Sequence, residues 1–298
     1  MYVATLIANP KHANLSSALA IQTAMKLGVQ GMVWLAENIA CDIEMIKPPE
    51  NLEPIWENLQ EQEIDFVIQP IEARRKKILL ADMDSTMIQQ ECIDELAVEA
   101  GVGAHVAGIT ARAMNGELGF NDSLIERVGL MKGLDSSVIQ TVLDTRIDLM
   151  PGGPELVATM KANGAYTALV SGGFTDFTKE IATKLGFDES RANTLLHEDG
   201  KLTGQVKMPI LGREAKVEAL RELTAKQGLT AKDVIAVGDG ANDLGMLTIA
   251  GTGVALHAKP VVAAECNMRL NFTDLTGLLY VQGYQKSDFV FPNTDFEF

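Results

Sequence analysis

Apolar positions along the chain follow two rhythms: short alternating or continuous runs that suit strands, and longer stretches at three- and four-residue spacing that suit helices. The first part reads as a strand Tyr2–Ala8 and a helix Ser16–Leu27 closed by Gly28. Strands Gly31–Leu35 and Cys41–Ile46, a helix through Trp56 and Leu59, and a strand Asp65–Ile68 follow. Residues 1–73 are therefore expected to form a βαββαβ unit, the split βαβ arrangement. Pro70 to Lys77, carrying Arg74-Arg75-Lys76-Lys77, reads as a linker whose basic run is solvated. Next comes Ile78-Leu79-Leu80-Ala81, a continuous apolar run that suits a strand buried on both faces of a parallel sheet. From about 88 to 150 the spacing is helical throughout, predicting a helical insertion. Beyond it strands and helices alternate: helix Pro154–Asn163, strand Tyr166–Val170, helix Phe174–Leu185, and a hairpin over 194–206 turning at Glu198-Asp199-Gly200. A helix Lys216–Gln227, strand Val234–Val237 and a strand near Gly253–Leu256 complete the series. Residues 77–298 are thus expected to form an α/β domain, a doubly wound parallel sheet with a helical cap inserted over the carboxyl ends of its strands. The Phe-rich tail Ser287–Phe298 carries no predicted element.

Composition narrows the functional classes. The chain has 298 residues, 47% hydrophobic and 22% charged, an ordinary globular balance. Its net charge of −15 argues against nucleic acid and anionic membranes as partners, and any anionic ligand would need cations placed locally. No apolar run approaches the length of a membrane span. The start Met1-Tyr2-Val3-Ala4 lacks a signal-peptide pattern. Cys41, Cys92 and Cys266 are scattered, which reads as reduced thiols in a cytoplasmic protein.

Three strand ends carry polar clusters: Asp82 and Asp84 after Ala81, Ser171-Gly172-Gly173 after Val170, and Gly238-Asp239-Gly240-Ala241-Asn242-Asp243 after Val237. In a parallel sheet these ends point the same way, so the clusters are expected to converge, and Lys216 can reach the same rim from the preceding helix. Carboxylates from two strands, a hydroxyl beside glycine amides, and an ammonium form a site for Mg²⁺ with a phosphate. Singly, each signal is weak. Asp-x-Asp triplets often form turns, Ser-Gly-Gly is usually a strand-to-helix bend, and a helical lysine is normally solvated. As a calcium loop the acidic stretch fails, because Met87 stands at the glycine position and Ile93 at the terminal acid. Gly101-Val102-Gly103 resembles a dinucleotide loop only superficially, since it follows a helix.

Taken together, Asp82-Met83-Asp84-Ser85-Thr86, Ser171-Gly172, Lys216 and Gly238–Asp243 resemble, in order and spacing, the four motifs of the haloacid dehalogenase-like phosphohydrolases. Gln90–Glu95, Gly116–Phe120, Ser123–Val128 and His257–Pro260 are similar to the cap and late core of the phosphoserine phosphatases in that superfamily, so the resemblance spans roughly residues 77 to 283. It implies a Mg²⁺-dependent hydrolysis of phosphoserine, the last step of serine biosynthesis, through an aspartyl-phosphate. Asp82 would be nucleophile and Asp84 general acid and base. The metal would be held by Asp82, the backbone carbonyl of Asp84, and Asp239. Ser171, Gly172, Lys216 and Asn242 would hold the phosphoryl group, with Asp243 orienting Lys216 or metal-bound water. Arg127 and Glu91 would bind the substrate carboxylate and ammonium under the apolar cover of Met114 and Phe120. Another small phosphate ester, or transfer to a hydroxyl acceptor, is the alternative. By element order residues 1–73 are ferredoxin-like and resemble ACT-type amino-acid-sensing modules. An amino-acid effector is one expectation for them; docking or formation of a homodimer is the plainer one.

Overall fold

The computed structural model of the chain describes residues 1–292; the expected phosphatase-domain range ended at 298, and residues 293–298 lie outside the described part. In the first 70 residues, β1 (Tyr2–Ala8), β2 (Val33–Ala36), β3 (Ala40–Met45) and β4 (Ile64–Pro70) form a sheet of order β2-β3-β1-β4 with antiparallel neighbours. The period-two rule sorts β1 cleanly. Ala4, Leu6 and Ala8 pack against the helices Ser17–Lys26 and Glu53–Gln60, whereas Ile7 points the other way, into the core of the second half of the chain. The Ser16 hydroxyl accepts the Leu19 amide at 3.2 Å and caps the first helix. This sheet is therefore covered on one face by its own helices and on the other by the rest of the protein.

The basic linker is only in part the solvated run that the sequence suggests: Arg75 and Lys77 are exposed, but Arg74 and Lys76 are not. Arg74 pairs with Asp42 at 2.6 Å and is mostly buried, and Asp42 also accepts the Thr5 hydroxyl at 2.7 Å. Arg75 stacks over the Tyr284 ring at 4.1 Å. A tetrabasic stretch looks like surface; here the buried Asp42 on β3 takes one guanidinium and an aromatic face takes the next.

The second sheet is six-stranded and parallel. Its strands are β5 (Ile78–Ala81), β6 (Tyr166–Phe174), β7 (Glu189–Asn193), β10 (Val234–Gly238), β11 (Thr252–Leu256) and β12 (Met268–Leu270), and their order is β12-β11-β10-β5-β6-β7. The antiparallel hairpin β8 (Leu195–Glu198) and β9 (Lys201–Val206) lies between β7 and β10 in sequence. All four residues of β5 are buried. Leu79 and Ala81 join one core, with helices Gly153–Ala162 and Thr175–Leu185; Ile78 and Leu80 join the other, with helix Arg213–Gln227. A strand sealed on both faces must be apolar throughout, and each large side chain buried there contributes roughly 1.5–3 kcal/mol. Short polar β7 and three-residue β12 sit at the sheet edges, where burial does not impose an apolar pattern.

The insertion is helical: Cys92–Glu99, Gly103–Met114, Phe120–Gly129 and Val138–Thr145. The β8–β9 hairpin joins it, with the Gly133 amide donating to Leu202 at 2.8 Å and the Leu202 amide to Leu134 at 2.9 Å. The hairpin thus belongs to the cap although it is encoded far from it.

Candidate active site

Central β5 sets the geometry. Ala81 is in register with Leu169 of β6 and with Val237 of β10, so the residues just beyond these positions gather at one rim, where open α/β sheets bind ligands. Asp82, Asp84, Ser171, Lys216, Asp239, Asn242 and Asp243 are all buried, at 9% exposure or less.

Lys216 reaches from helix Arg213–Gln227 to place its ammonium 2.6 Å from Asp82 Oδ1 and 2.6 Å from Asp243 Oδ1. Burial disfavours its charge, but Asp243 and Asp82 outweigh that and hold its pKa above the ordinary lysine value. Asp243 is used up by this pairing and by the Gly240 amide, which donates to its Oδ2 at 3.1 Å. Asp82 is pushed up, first by burial and then by Asp243, against the pull of Lys216.

Asp239 accepts the Thr86 hydroxyl on Oδ1 at 3.2 Å, while its buried Oδ2 has no hydrogen-bond partner among the described residues. Lys259 Nζ lies 3.8 Å from that oxygen. Burial first, then Asp243, raises the Asp239 carboxyl to about 7. Asp82, Asp239 and Asp243 can each bring an oxygen within 4.8 Å of the others. Asp84 points its carboxylate elsewhere. Its Oδ1 accepts the Cys92 amide at 2.8 Å, at the start of the first cap helix, and its Oδ2 accepts the Ser171 hydroxyl at 3.0 Å. One carboxylate thus touches both the core and the cap.

Ser171 and its glycines form a tight bend. The Gly173 amide donates to Ser171 Oγ at 2.8 Å, and a Cβ on Gly173 would stand 2.7 Å from Asp84 Oδ2. A Cβ on Gly172 would stand 2.7 Å from the Phe120 ring of the cap, so only glycine permits this approach. Asn193 anchors the bend from behind, donating to the Gly172 carbonyl at 2.8 Å.

The cap closes over a narrow cavity of about 40 Å³, lined by Asp82, Asp84, Glu91, Met114, Phe120, Arg127 and Asn242, among others. Arg127 is 5% exposed and has no ion-pair partner among the described residues. Its Nε donates to the Ser123 carbonyl at 3.0 Å and its Nη1 to Thr110 Oγ1 at 3.0 Å, with the Thr110 hydroxyl passed on to Asp94 at 2.5 Å. Burial pulls the Arg127 pKa down. Glu91 accepts the Ser85 hydroxyl at 2.7 Å; burial, then Asp84, pushes its carboxyl well up.

The model of the haloacid dehalogenase-like hydrolases matches residues 79–248. The chain belongs to this family. A phosphoserine phosphatase of Archaeoglobus fulgidus is 43% identical over 220 residues, 73% of this chain, and the match spans 64% of that relative's length. A solved HAD family hydrolase of Salmonella enterica serovar Typhi superposes with a TM-score of 0.82 at 31% identity, covering 94% of this chain and 98% of its own. A structure of the phospho-aspartyl intermediate analogue of a phosphoserine phosphatase superposes with a TM-score of 0.66 at 40% identity, covering 69% of this chain and 98% of its own. No helix among the described residues is long and apolar enough to cross a membrane.

All twelve residues given a role at the site in the sequence lie at this rim or line the cavity: Asp82, Asp84, Glu91, Met114, Phe120, Arg127, Ser171, Gly172, Lys216, Asp239, Asn242 and Asp243. Sequence reasoning gave no role to Thr86, Thr110, Asp94, Asn193 or Lys259. Thr86 lies two residues beyond Asp84 and Lys259 follows β11, so topology offered a signal for both. Thr110, Asp94 and Asn193 act only through a partner, and nothing in a lone threonine or asparagine announces that.

Proposed function

We propose that the chain is a Mg²⁺-dependent phosphoserine phosphatase that works through an aspartyl-phosphate on Asp82 and supplies the last step of serine biosynthesis. One observation carries the substrate reading. Arg127 is a buried guanidinium with no carboxylate paired to it, facing the same small cavity as Asp82. A buried unpaired cation is costly, and a substrate carboxylate would relieve that cost through a bidentate contact. Glu91, pushed up by burial and Asp84, would return to its ionised form against the substrate ammonium. The small cavity that these cap groups share with Asp82 and Asp84 favours a short phosphorylated amino acid.

The residues fit a magnesium ion. The donors are hard oxygens, and Asp239 Oδ2 is buried and lacks a hydrogen-bond partner, as expected of an oxygen reserved for a cation. Asp82, Asp239 and the backbone carbonyl of Asp84 would hold the ion, while Asp243 is committed to Lys216. When bound, the ion neutralises Asp82 against the phosphate and polarises the phosphoryl oxygens.

The protein groups perform the rest. Lys216 pulls Asp82 toward its ionised form and aims it at phosphorus, and it offsets charge spreading over the phosphoryl oxygens together with the Ser171 hydroxyl and the Gly172 amide. Asp84 gives a proton to the departing serine oxygen, then takes one from the water that attacks the aspartyl-phosphate. Its contact with the Cys92 amide ties this shuttle to cap closure, which excludes bulk water from the intermediate. The phospho-aspartyl analogue of the similar phosphoserine phosphatase supports the covalent route.

The test is phosphate release from a panel of phosphorylated metabolites, with and without Mg²⁺. L-phosphoserine is expected to give the highest kcat/KM. Asp82→Asn should abolish turnover, and Asp84→Asn should still bind metal and substrate while losing proton transfer. Preference for another ester, or substantial turnover by Asp82→Asn, overturns the assignment.

A further inference from the structure

The first domain reaches into the catalytic half through one buried carboxylate. Asp65 on β4 is completely inaccessible and accepts three backbone amides from the loop after β12: Asn271 at 2.6 Å, Phe272 at 3.1 Å and Thr273 at 2.9 Å. Two more bonds hold the same loop to the first domain. Asn9 donates to the Phe272 carbonyl at 2.8 Å, and the Asn271 side chain donates to Gln60 at 2.7 Å. Three amides converging on one carboxylate form an anion nest, and the loop's backbone path is therefore set by a residue outside its own domain.

The loop's other side leads to Asp239, one of the proposed metal ligands. His257 donates from Nε2 to the Thr273 carbonyl at 2.8 Å, and its own amide donates to Leu270 at 2.9 Å. These two bonds hold His257 at φ 46°, a left-handed conformation that a residue with a Cβ adopts only when its surroundings compel it. Two residues later the Lys259 amide donates to the Asp239 carbonyl at 3.0 Å, and Lys259 Nζ stands 3.8 Å from the unpartnered Asp239 Oδ2. Asp239, His257, Lys259 and Thr273 line a second cavity of about 400 Å³, whose wall is completed by Asn9 and Lys11 of the first domain.

We propose that Asp65 is a positioning residue for the metal-binding wall of the site, acting from the first domain through the 271–273 loop and His257 on Lys259 and Asp239. Removing its carboxylate leaves three backbone amides without their acceptor, so the loop must move to find others, and the strained His257–Lys259 segment moves with it. The substrate-binding groups Arg127, Glu91 and Ser171 lie on other elements and keep their contacts. This inference rests on Asp239 being a metal ligand, as in the proposed function, but not on the identity of the substrate.

Mn²⁺ binding to the full-length protein, measured without substrate by electron paramagnetic resonance of the free ion, tests it. Asp65→Ala is expected to weaken Mn²⁺ binding by about tenfold, the lower end for groups that support metal ligands. KM for phosphoserine at saturating metal should stay within about twofold in the same variant. Asp65→Asn, which keeps one acceptor oxygen, should fall between, and it carries the test if the alanine variant does not fold. Arg74→Met loosens the linker instead, by breaking its ion pair with Asp42 of the first domain, and should leave Mn²⁺ affinity unchanged. Wild-type Mn²⁺ affinity in a folded Asp65 variant overturns the proposal, as does an equal loss in Arg74→Met, which would reduce the effect to general docking. Wild-type Mn²⁺ binding without phosphoserine turnover would instead count against the substrate assignment alone.

Discussion

Replacing Lys216 by Met removes the ammonium and keeps most of the buried stem. The side chain is wholly inaccessible, and its nitrogen sits 2.6 Å from carboxylate oxygens of both Asp82 and Asp243. At an effective dielectric near 20 each such pair is worth about 6 kcal/mol in Coulomb terms. Most of that is offset by the desolvation of three buried charges. Breaking such a pair from one side still costs ~3–5 kcal/mol, because the remaining charges stay buried and uncompensated. The variant is therefore expected to lose about that much in urea unfolding at pH 7.5 without metal, a large part of the ~5–15 kcal/mol of an ordinary domain. Two features separate this reasoning from a simple packing defect. Lowering the pH should restore stability, since a proton on Asp82, whose carboxyl burial already pushes up, replaces the missing cation, and a divalent ion should restore part of it too. Activity should not return with either, because the phosphoryl oxygens still lack their cation. An Lys216→Met protein as stable as the parent in metal-free buffer, or one whose deficit ignores both pH and metal, would refute the electrostatic account.

Three further outcomes follow from the same geometry. Asp239 must be ionised to bind a cation and its carboxyl lies at about 7, so apparent Mg²⁺ affinity should fall by up to about tenfold per pH unit below 7 and level off above it; a Mg²⁺ titration of activity from pH 5.5 to 8.5 reads this. Thr110→Val removes the hydroxyl that holds Arg127 Nη1 at 3.0 Å and should raise KM for phosphoserine by about 5- to 20-fold, the worth of one or two hydrogen-bond energies, with little change in thermal stability. Gly172→Ala places a methyl 2.7 Å from the Phe120 ring, so the cap cannot seat; kcat should drop while Phe120→Ala, by making room, restores part of it in the double variant, as a double-mutant cycle in steady-state kinetics would show.

The elements were legible where one physical demand set the pattern. The residues of β5 had to be apolar because both faces are sealed, and β1 alternates because each face meets a different core. The clustering of polar groups at the strand ends was legible because acids just beyond an apolar run have few structural reasons to be there. What stayed hidden depends on partners distant in sequence. The hairpin over 195–206 shows in the sequence but its place in the cap does not, because two strands of the core separate it from the cap helices; β12 is too short to show a period. Arg74 looked solvated because Asp42, its partner, is 32 residues away on a strand whose burial no local pattern reveals. Asp65 is the clearest case. It looks like one polar position in an ordinary strand, yet it holds a loop 206 to 208 residues further on.

That contrast bears on how the two halves of the protein are related. A module joined only for sensing or docking needs a surface and a linker, and its contacts with the catalytic half should be polar, exposed and few. Here the face of the first sheet bearing Ile7 and Val67 enters the same apolar core as the cap and β5, and Asp65 spends all its hydrogen-bonding capacity on the second half. Burial raises the Asp65 carboxyl to about 6 even against the downward pull of those three amides, so the buried acid depends on them to hold its ionised form. The amides need the acid and the acid needs the amides, so this contact forms only when both halves are present. Residues 77–292 expressed alone should expose an apolar face and lose the 271–273 loop geometry together. Their metal affinity should therefore fall at least as far as that of Asp65→Ala, and adding residues 1–73 in trans should restore it only where the two fragments associate.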